Sequence, residues 1–134
     1  MKTFLICPVR NKKKIESIQG VVKILENSGY ETHWPSRDTN QDDPIGFEIC
    51  KENLNAIKNA DIIHVIWDGQ SQGCLFDLGM AFALNKKIIV VEMPEYKKGE
   101  KSFQAMAHFW EMTEEKRKEI MNDINNYKNL EFPI

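Results

Sequence analysis

The chain has 134 residues, 42% hydrophobic and 28% charged, with a formal net charge of −2. That length suits one domain over 1–134 with a sizeable core, and the aliphatic content excludes disorder. The slightly acidic balance argues against a nucleic-acid partner, and no apolar run approaches the ~20 residues that would cross a membrane.

Strand-like and helix-like stretches alternate along the chain. Thr3 to Val9 reads as a first strand, and the run before Pro8 is too short for a signal peptide. Ile15, Ile18, Val22 and Leu25 recur at helical spacing up to a stop at Ser28-Gly29. Tyr30 to Trp34 is a second short strand, Pro35 to Asp43 a polar loop, and Pro44 starts a helix that runs to Ala60. Asp61 to Trp67 and Lys87 to Glu92 are buried strands, separated by a loop over Asp68–Gly73 and a helix over Cys74–Leu84. Ser102 to Phe109 reads as helical, His108 to Met112 as a possible short edge strand, and Thr113 to Tyr127 as a charged helix capped by Thr113. Continuous apolar strands imply a parallel sheet covered on both faces. The pattern predicts a doubly wound, flavodoxin-like or Rossmann-like α/β fold of order 2-1-3-4, with a possible fifth strand. Cys7, Cys50 and Cys74 form no close pair, which fits reduced thiols in a cytoplasm.

Such sheets bind ligands at the carboxyl ends of the strands, where strand order reverses. Here that crevice is lined by Pro8 to Asn11 and by Asp68 to Asp77. The chain has no dinucleotide fingerprint, P-loop or nucleophile elbow. His33, His64 and His108 lack ligand spacing, so no metal is expected, and His64 reads as a hydrogen-bonded core histidine. Two features remain. Arg10, Lys12, Lys13 and Lys14 crowd the start of a helix, where cations are unfavourable and anions bind readily. A polar loop, Asp68-Gly-Gln-Ser-Gln-Gly73, then leads into a helix with one carboxylate, Asp77, in its first turn. Taken alone, the helix dipole would account for that carboxylate.

The stretch Ala60-Asp61-Ile62-Ile63, continuing through Gly73-Cys-Leu-Phe-Asp77-Leu-Gly79-Met-Ala81-Phe-Ala83-Leu to Lys87-Ile88, resembles the nucleoside 2-deoxyribosyltransferase family. The likeness extends to Arg10-Asn11, Gly29-Tyr30 and Asn53-Leu54-Asn55 and covers roughly residues 3–106. In pattern it is closest to the branch that hydrolyses nucleoside 5′-monophosphates. The resemblance implies cleavage or transfer at an N-glycosidic bond without metal or cofactor, on a nucleoside or nucleoside monophosphate. It also implies a homodimer or larger assembly, with sites completed by a neighbouring subunit.

Residue by residue, the resemblance makes Asp77 the nucleophile where the family has glutamate, attacking C1′ to form a glycosyl ester. Aspartate reaches about 1.3 Å less far, and a misplacement near 1 Å can cost about a hundredfold in rate. A family tyrosine that orients the nucleophile becomes Phe4, and a family aspartate becomes Asn53, the second catalytic position. Phe4, Arg10, Asn11, Asp68, Ser71 and Gly73 are the expected substrate contacts. Ser71 stands where transferases of free nucleosides carry an acid, so it and the basic cluster both point to a 5′-phosphate. Ser36, Arg37 and Asp38 are candidates to contact the base. Ser102 and Gln104 are candidates to cross into a partner's site, beside an apolar surface of Phe103, Met106, Phe109, Trp110 and Met112 that suits an interface or caps the sheet. Three readings stay open: an N-glycosidase or transferase, a catalytically silent nucleotide-binding sensor or interaction module, or a domain with a similar core and no nucleotide role.

Overall fold

The computed structural model describes residues 1–97 and 99–123. Four strands, β1 (Lys2–Ile6), β2 (Glu31–His33), β3 (Ile62–Ile66) and β4 (Ile88–Glu92), form one parallel sheet of order β2-β1-β3-β4. The expected order is therefore found. Helix α1 (Lys12–Asn27) follows β1, α2 (Pro35–Asp38) and α3 (Phe47–Asn59) follow β2, and α4 (Gln72–Ala83) follows β3. Helices α5 (Phe103–Glu111) and α6 (Glu114–Asn122) come after β4. The part of the expected terminal helix beyond residue 123 lies outside the described residues.

Strand alternation divides the core into two layers. Ile18 and Val22 of α1 pack on Leu5, Cys7, Ile66 and Trp34. On the other face, Ile57 of α3 and Leu78 and Ala81 of α4 cover Phe4, Ile6, Ile63 and Val65. Phe4, Ile57, Ile63 and Val65 are wholly buried, and each such side chain contributes about 1.5–3 kcal/mol through removal from water.

Five expectations need correction. The run Lys87–Glu92 is not a buried strand: β4 lies at the edge of the sheet, and Ile88 is buried while Ile89, Val91 and Glu92 are exposed. There is no fifth strand over His108–Met112, which instead form the end of α5 and its cap. The edge of β4 is closed by side chains: Glu111 Oε2 accepts from the Val90 N–H at 3.0 Å. On the same helix, Trp110 Nε1 donates to the Lys86 carbonyl at 3.0 Å. Pro35 to Asp38 form a short helix with proline in its first turn, not loop. Helix α3 begins at Phe47 rather than Pro44 because its N-cap, Gly46 (φ 91°), has no side chain. Asp43 supplies the missing acceptor and takes the N–H groups of Ile45, Glu48 and Ile49 at 3.0, 2.9 and 3.2 Å. Finally, α4 starts two residues before Cys74, which moves Asp77 out of the first turn.

His64 matches its expectation. It is buried, with Nδ1 2.6 Å from Thr3 Oγ1 and the Tyr30 ring edge-on at 5.0 Å.

Candidate functional site

Parallel strands bring their carboxyl ends to one side of the sheet, and the order reverses between β1 and β3. The β1–α1 loop, the β3–α4 loop and the first turns of α3 and α4 meet there.

Asp77 lies in the second turn of α4 and is 8% exposed. The dipole effect fades within the first turn, so it no longer accounts for this carboxylate. Burial pushes its pKa up to about 7, and the Asn53 side chain, donating to it, pulls part of the way back. Among the described residues Asp77 forms no ion pair with Lys or Arg. A buried carboxylate without a cation is expensive to keep, and groups of this kind concentrate at working sites. The structure thus brings together the two positions expected to be catalytic, Asp77 and Asn53.

Three thiols feel the charge of this carboxylate. Burial, with the Asp77 charge adding to it, pushes Cys7 up to about 12 and raises Cys50 and Cys74. All three are free and protonated near neutrality, so none offers a thiolate nucleophile.

The loop after β3 is tied to one carboxylate. Asp68 Oδ1 accepts from the N–H groups of Gln70 and Ser71 at 2.9 and 2.8 Å, and Oδ2 from the Ser71 hydroxyl at 2.8 Å. Partial burial works against the Asp68 charge, but these donors outweigh it and hold the carboxyl below the usual range. Gly69 makes the turn possible, because it sits at φ +80° and a Cβ there would lie 2.9 Å from Pro94. The Ser71 proton is therefore committed to Asp68, and a carboxylate stands beside the position expected to receive phosphate. Space beside Gly73 in the first turn of α4 is open.

On the opposite lip, Asn11 caps α1 by accepting the Lys13 N–H at 3.1 Å. Lys14 Nζ reaches Glu92 at the end of β4 at 2.7 Å. Arg10, Lys12 and Lys13 are exposed and form no ion pair among the described residues. Phe4 is fully buried and stacks on His33, with ring centroids 5.2 Å apart.

Other candidates are committed elsewhere. Arg37 binds Glu26, Asp38 and the Thr32 carbonyl, and Asp38 also accepts the Trp34 N–H. Ser36 is half-buried. Ser102 caps α5 through the Ala105 N–H at 3.1 Å, and Gln104 is half-buried. The late apolar stretch divides: Met112 is buried and Trp110 packs on the core, whereas Phe103 and Met106 are exposed. A cavity of about 470 Å³ lies beside β2 and α3, between Lys2, His33, Arg37 and Asn59. One of about 810 Å³ lies along the edge of β4, beside Phe82, Trp110 and Arg117. Neither contains Asp77, Asp68 or Ser71. No group of three or more His, Cys, Asp or Glu among the described residues could hold a metal ion. No helix among them is long and apolar enough to cross a membrane.

Two residues at the site were not expected. Thr39 Oγ1 donates to Asn53 Oδ1 at 2.7 Å and lies 2.8 Å from His33 Nε2. In the sequence His33 shows only the lack of metal-ligand spacing, and Thr39 falls within the expected polar loop. Nothing periodic marks a polar side chain that reaches from one loop to another helix.

The fold has counterparts among known structures. A Clostridium botulinum CMP N-glycosidase, BcmB, aligns over 95% of this chain and 100% of its own, with 20% identity and a TM-score of 0.59. A 2-deoxyribosyltransferase from Bacillus psychrosaccharolyticus aligns over 95% and 92%, with 23% identity and a TM-score of 0.65. At these identities the likeness establishes the fold. No curated protein sequence matches the chain. The nucleoside 2-deoxyribosyltransferase family model, however, matches residues 4–126, and the chain belongs to that family.

Proposed function

We propose that the protein cleaves or transfers the N-glycosidic bond of a nucleoside or nucleoside 5′-monophosphate, with Asp77 as nucleophile. The observation that carries this reading is Asp77 itself: buried, without a cationic partner among the described residues, and raised to about 7 by that burial. A carboxylate of that basicity is ionised in part at neutral pH and is a stronger nucleophile than an exposed one. Asp77 Oδ bonds to C1′, the C1′–N bond breaks, and its electron pair leaves with the base, which takes a proton from water. Water or a second base then displaces the carboxylate. Asn53 neither gives nor takes a proton in these steps and serves as a hydrogen-bond donor to Asp77.

The surroundings favour two substrate forms in opposite ways. Arg10, Lys12 and Lys13 attract a 5′-phosphate, whereas the Asp68 carboxylate repels one and accepts readily from a 5′-hydroxyl. A panel of nucleosides and their monophosphates, followed by chromatography for free base, tests the reading. Release of base from at least one member is expected. No release from any, with monophosphates still raising the melting temperature, would favour the silent nucleotide binder. That alternative draws on the short reach of Asp77 and the missing hydroxyl at Phe4.

The same reading makes the protein a homodimer or larger. Ile45, Phe47, Phe76, Phe103 and Met106 are exposed apolar side chains, and Ile45, Phe47 and Phe76 lie near the amino ends of α3 and α4. A partner covering them would complete the site, with Ser102 or Gln104 in reach of it. Light scattering at micromolar concentration should give at least twice 15.6 kDa, and a monomer mass would contradict this. The three free thiols suit a cytoplasmic setting.

A further inference from the structure

We propose that Thr39 and His33 are positioning residues for Asp77, holding the Asn53 carboxamide with its N–H turned toward the carboxylate. This rests on Asp77 being the reacting group, but it can be tested without any turnover.

The hydrogen bonds run in one direction. Asn53 is buried on α3, and its Oδ1 can only accept, so the Thr39 hydroxyl proton lies on the 2.7 Å line between them. The Thr39 oxygen must then accept at its other contact, which places a proton on His33 Nε2, 2.8 Å away. With its oxygen engaged by Thr39, Asn53 has only its N–H group to offer the Asp77 carboxylate, whose pKa it lowers. His33, Thr39, Asn53 and Asp77 thus form a directed chain from the end of β2 to the second turn of α4.

The opposite direction needs a different proton count. Turning the carboxamide over would set its oxygen against an ionised carboxylate, two acceptors facing each other in a buried place. That arrangement fits only a protonated Asp77. Asn53 would then donate to Thr39, and Thr39 to an Nε2 that has lost its proton. The tautomer of His33 and the charge on Asp77 are therefore linked through two intervening side chains.

Local packing suits this role. Thr39 is buried just after α2, and the imidazole lies nearly parallel to Phe4, at 14°, which fixes its plane. His33 also lines the 470 Å³ cavity, through which its ring can exchange protons with solvent. Burial lowers its pKa, Asp38 and Glu52 push back, and Arg37 adds to the lowering. The ring is thus neutral at pH 7 and can occupy either tautomer. The titratable groups acting with Asp77 are Cys7 from the β1–α1 loop, Cys50 from α3 and Cys74 from its own helix, with Asp68 acting on Cys74. The thiols stay protonated and Asp68 stays ionised near neutrality, so a titration there belongs to Asp77.

Thr39→Val and Thr39→Ser in the full chain separate this role from packing. Valine keeps the shape and removes the hydroxyl, while serine keeps the hydroxyl. The side-chain carboxyl of Asp77 is titrated by carbon-13 NMR in each. The Thr39→Val midpoint should rise by about one pH unit, as expected when the donor to a carboxylate is no longer held in place. Thr39→Ser should stay within a few tenths of the original. If Thr39→Val does not fold, His33→Phe, which retains a ring against Phe4, should still raise the midpoint by a smaller amount. An unchanged midpoint in a folded Thr39→Val, or in His33→Phe where that stands in, would overturn the proposal. Absence of base release would remove the proposed function and leave this titration standing. Base release that depends on Asp77, with an unmoved midpoint, would do the reverse.

Discussion

Threonine and histidine meet twice inside this protein, on opposite faces of the sheet. On the α1 side, Thr3 and His64 form a closed pair against the Tyr30 ring. On the α3 side, His33 and Thr39 continue through Asn53 to Asp77. The first arrangement is neutral and satisfied, and its burial needs no further explanation. The second ends on a carboxylate with no cation paired to it among the described residues, and its ionised form weakens the fold. The same residue types therefore serve stability in one layer and hold a costly group in the other.

The largest expected difference between the two regions appears in stability against pH. Asp77 has a folded pKa of about 7, above its ordinary value of 3.8, so the folded state binds more protons than the unfolded between those values. Its contribution is present below about pH 4 and is lost as pH rises through 7. Asp77→Asn should therefore leave melting unchanged at pH 4 and stabilise the fold at pH 8, by at most about 4 kcal/mol. Melting curves at the two values check this, and no stabilisation at pH 8 would deny that the carboxylate is buried without compensation.

Thr3→Val should act in the other direction. It leaves the buried His64 Nδ1 without a partner and should cost about 1–3 kcal/mol at any pH above the His64 titration. Burial lowers the His64 pKa, so this region favours folding above the ordinary value of 6.5 and weakens as pH falls below it. The midpoint of Asp77 should not move. Chemical denaturation with the carboxyl titration run alongside separates the two networks, and a shift at Asp77 would show them to be coupled across the sheet.

The smallest expected effect concerns the loop after β3. Asp68→Asn removes the charge beside Ser71 while leaving acceptors for the loop, so it should favour monophosphates over nucleosides by roughly tenfold in affinity. Isothermal titration with a matched pair of ligands would read it. An unchanged ratio would place the 5′ end of the ligand away from Asp68.

Much of the frame could be read from residue pattern because it depends on near neighbours. The runs Asp61–Trp67 and Lys87–Glu92 are apolar enough to declare parallel strands, and the helix after β3 carries the family pattern around Asp77. Only the first run is buried over most of its length, and β4 exposes Ile89 and Val91 at the sheet edge. What escaped depends on contacts between distant segments. Glu111 satisfies the backbone of β4, so an apolar stretch that could have paired as a strand closes the edge as a helix. Asp43 caps α3 from four residues upstream, past a glycine, which displaced the expected start at Pro44. Asp77 looked like a first-turn residue because the true start of α4, at Gln72, lies in a polar loop without periodicity. Thr39 and His33 gave no signal at all, since their importance lies in where Asn53 sits.

The most direct measurement is the pH dependence of base release by the unaltered protein and by Asp77→Asn, from pH 5 to 9, on whichever substrate the panel identifies. With Asp77 as a buried nucleophile, release is half-maximal near pH 7, falls on the acid side as the carboxylate takes its proton, and disappears in Asp77→Asn. Release by Asp77→Asn at the unaltered rate, or an acid limb centred near 4, would contradict it.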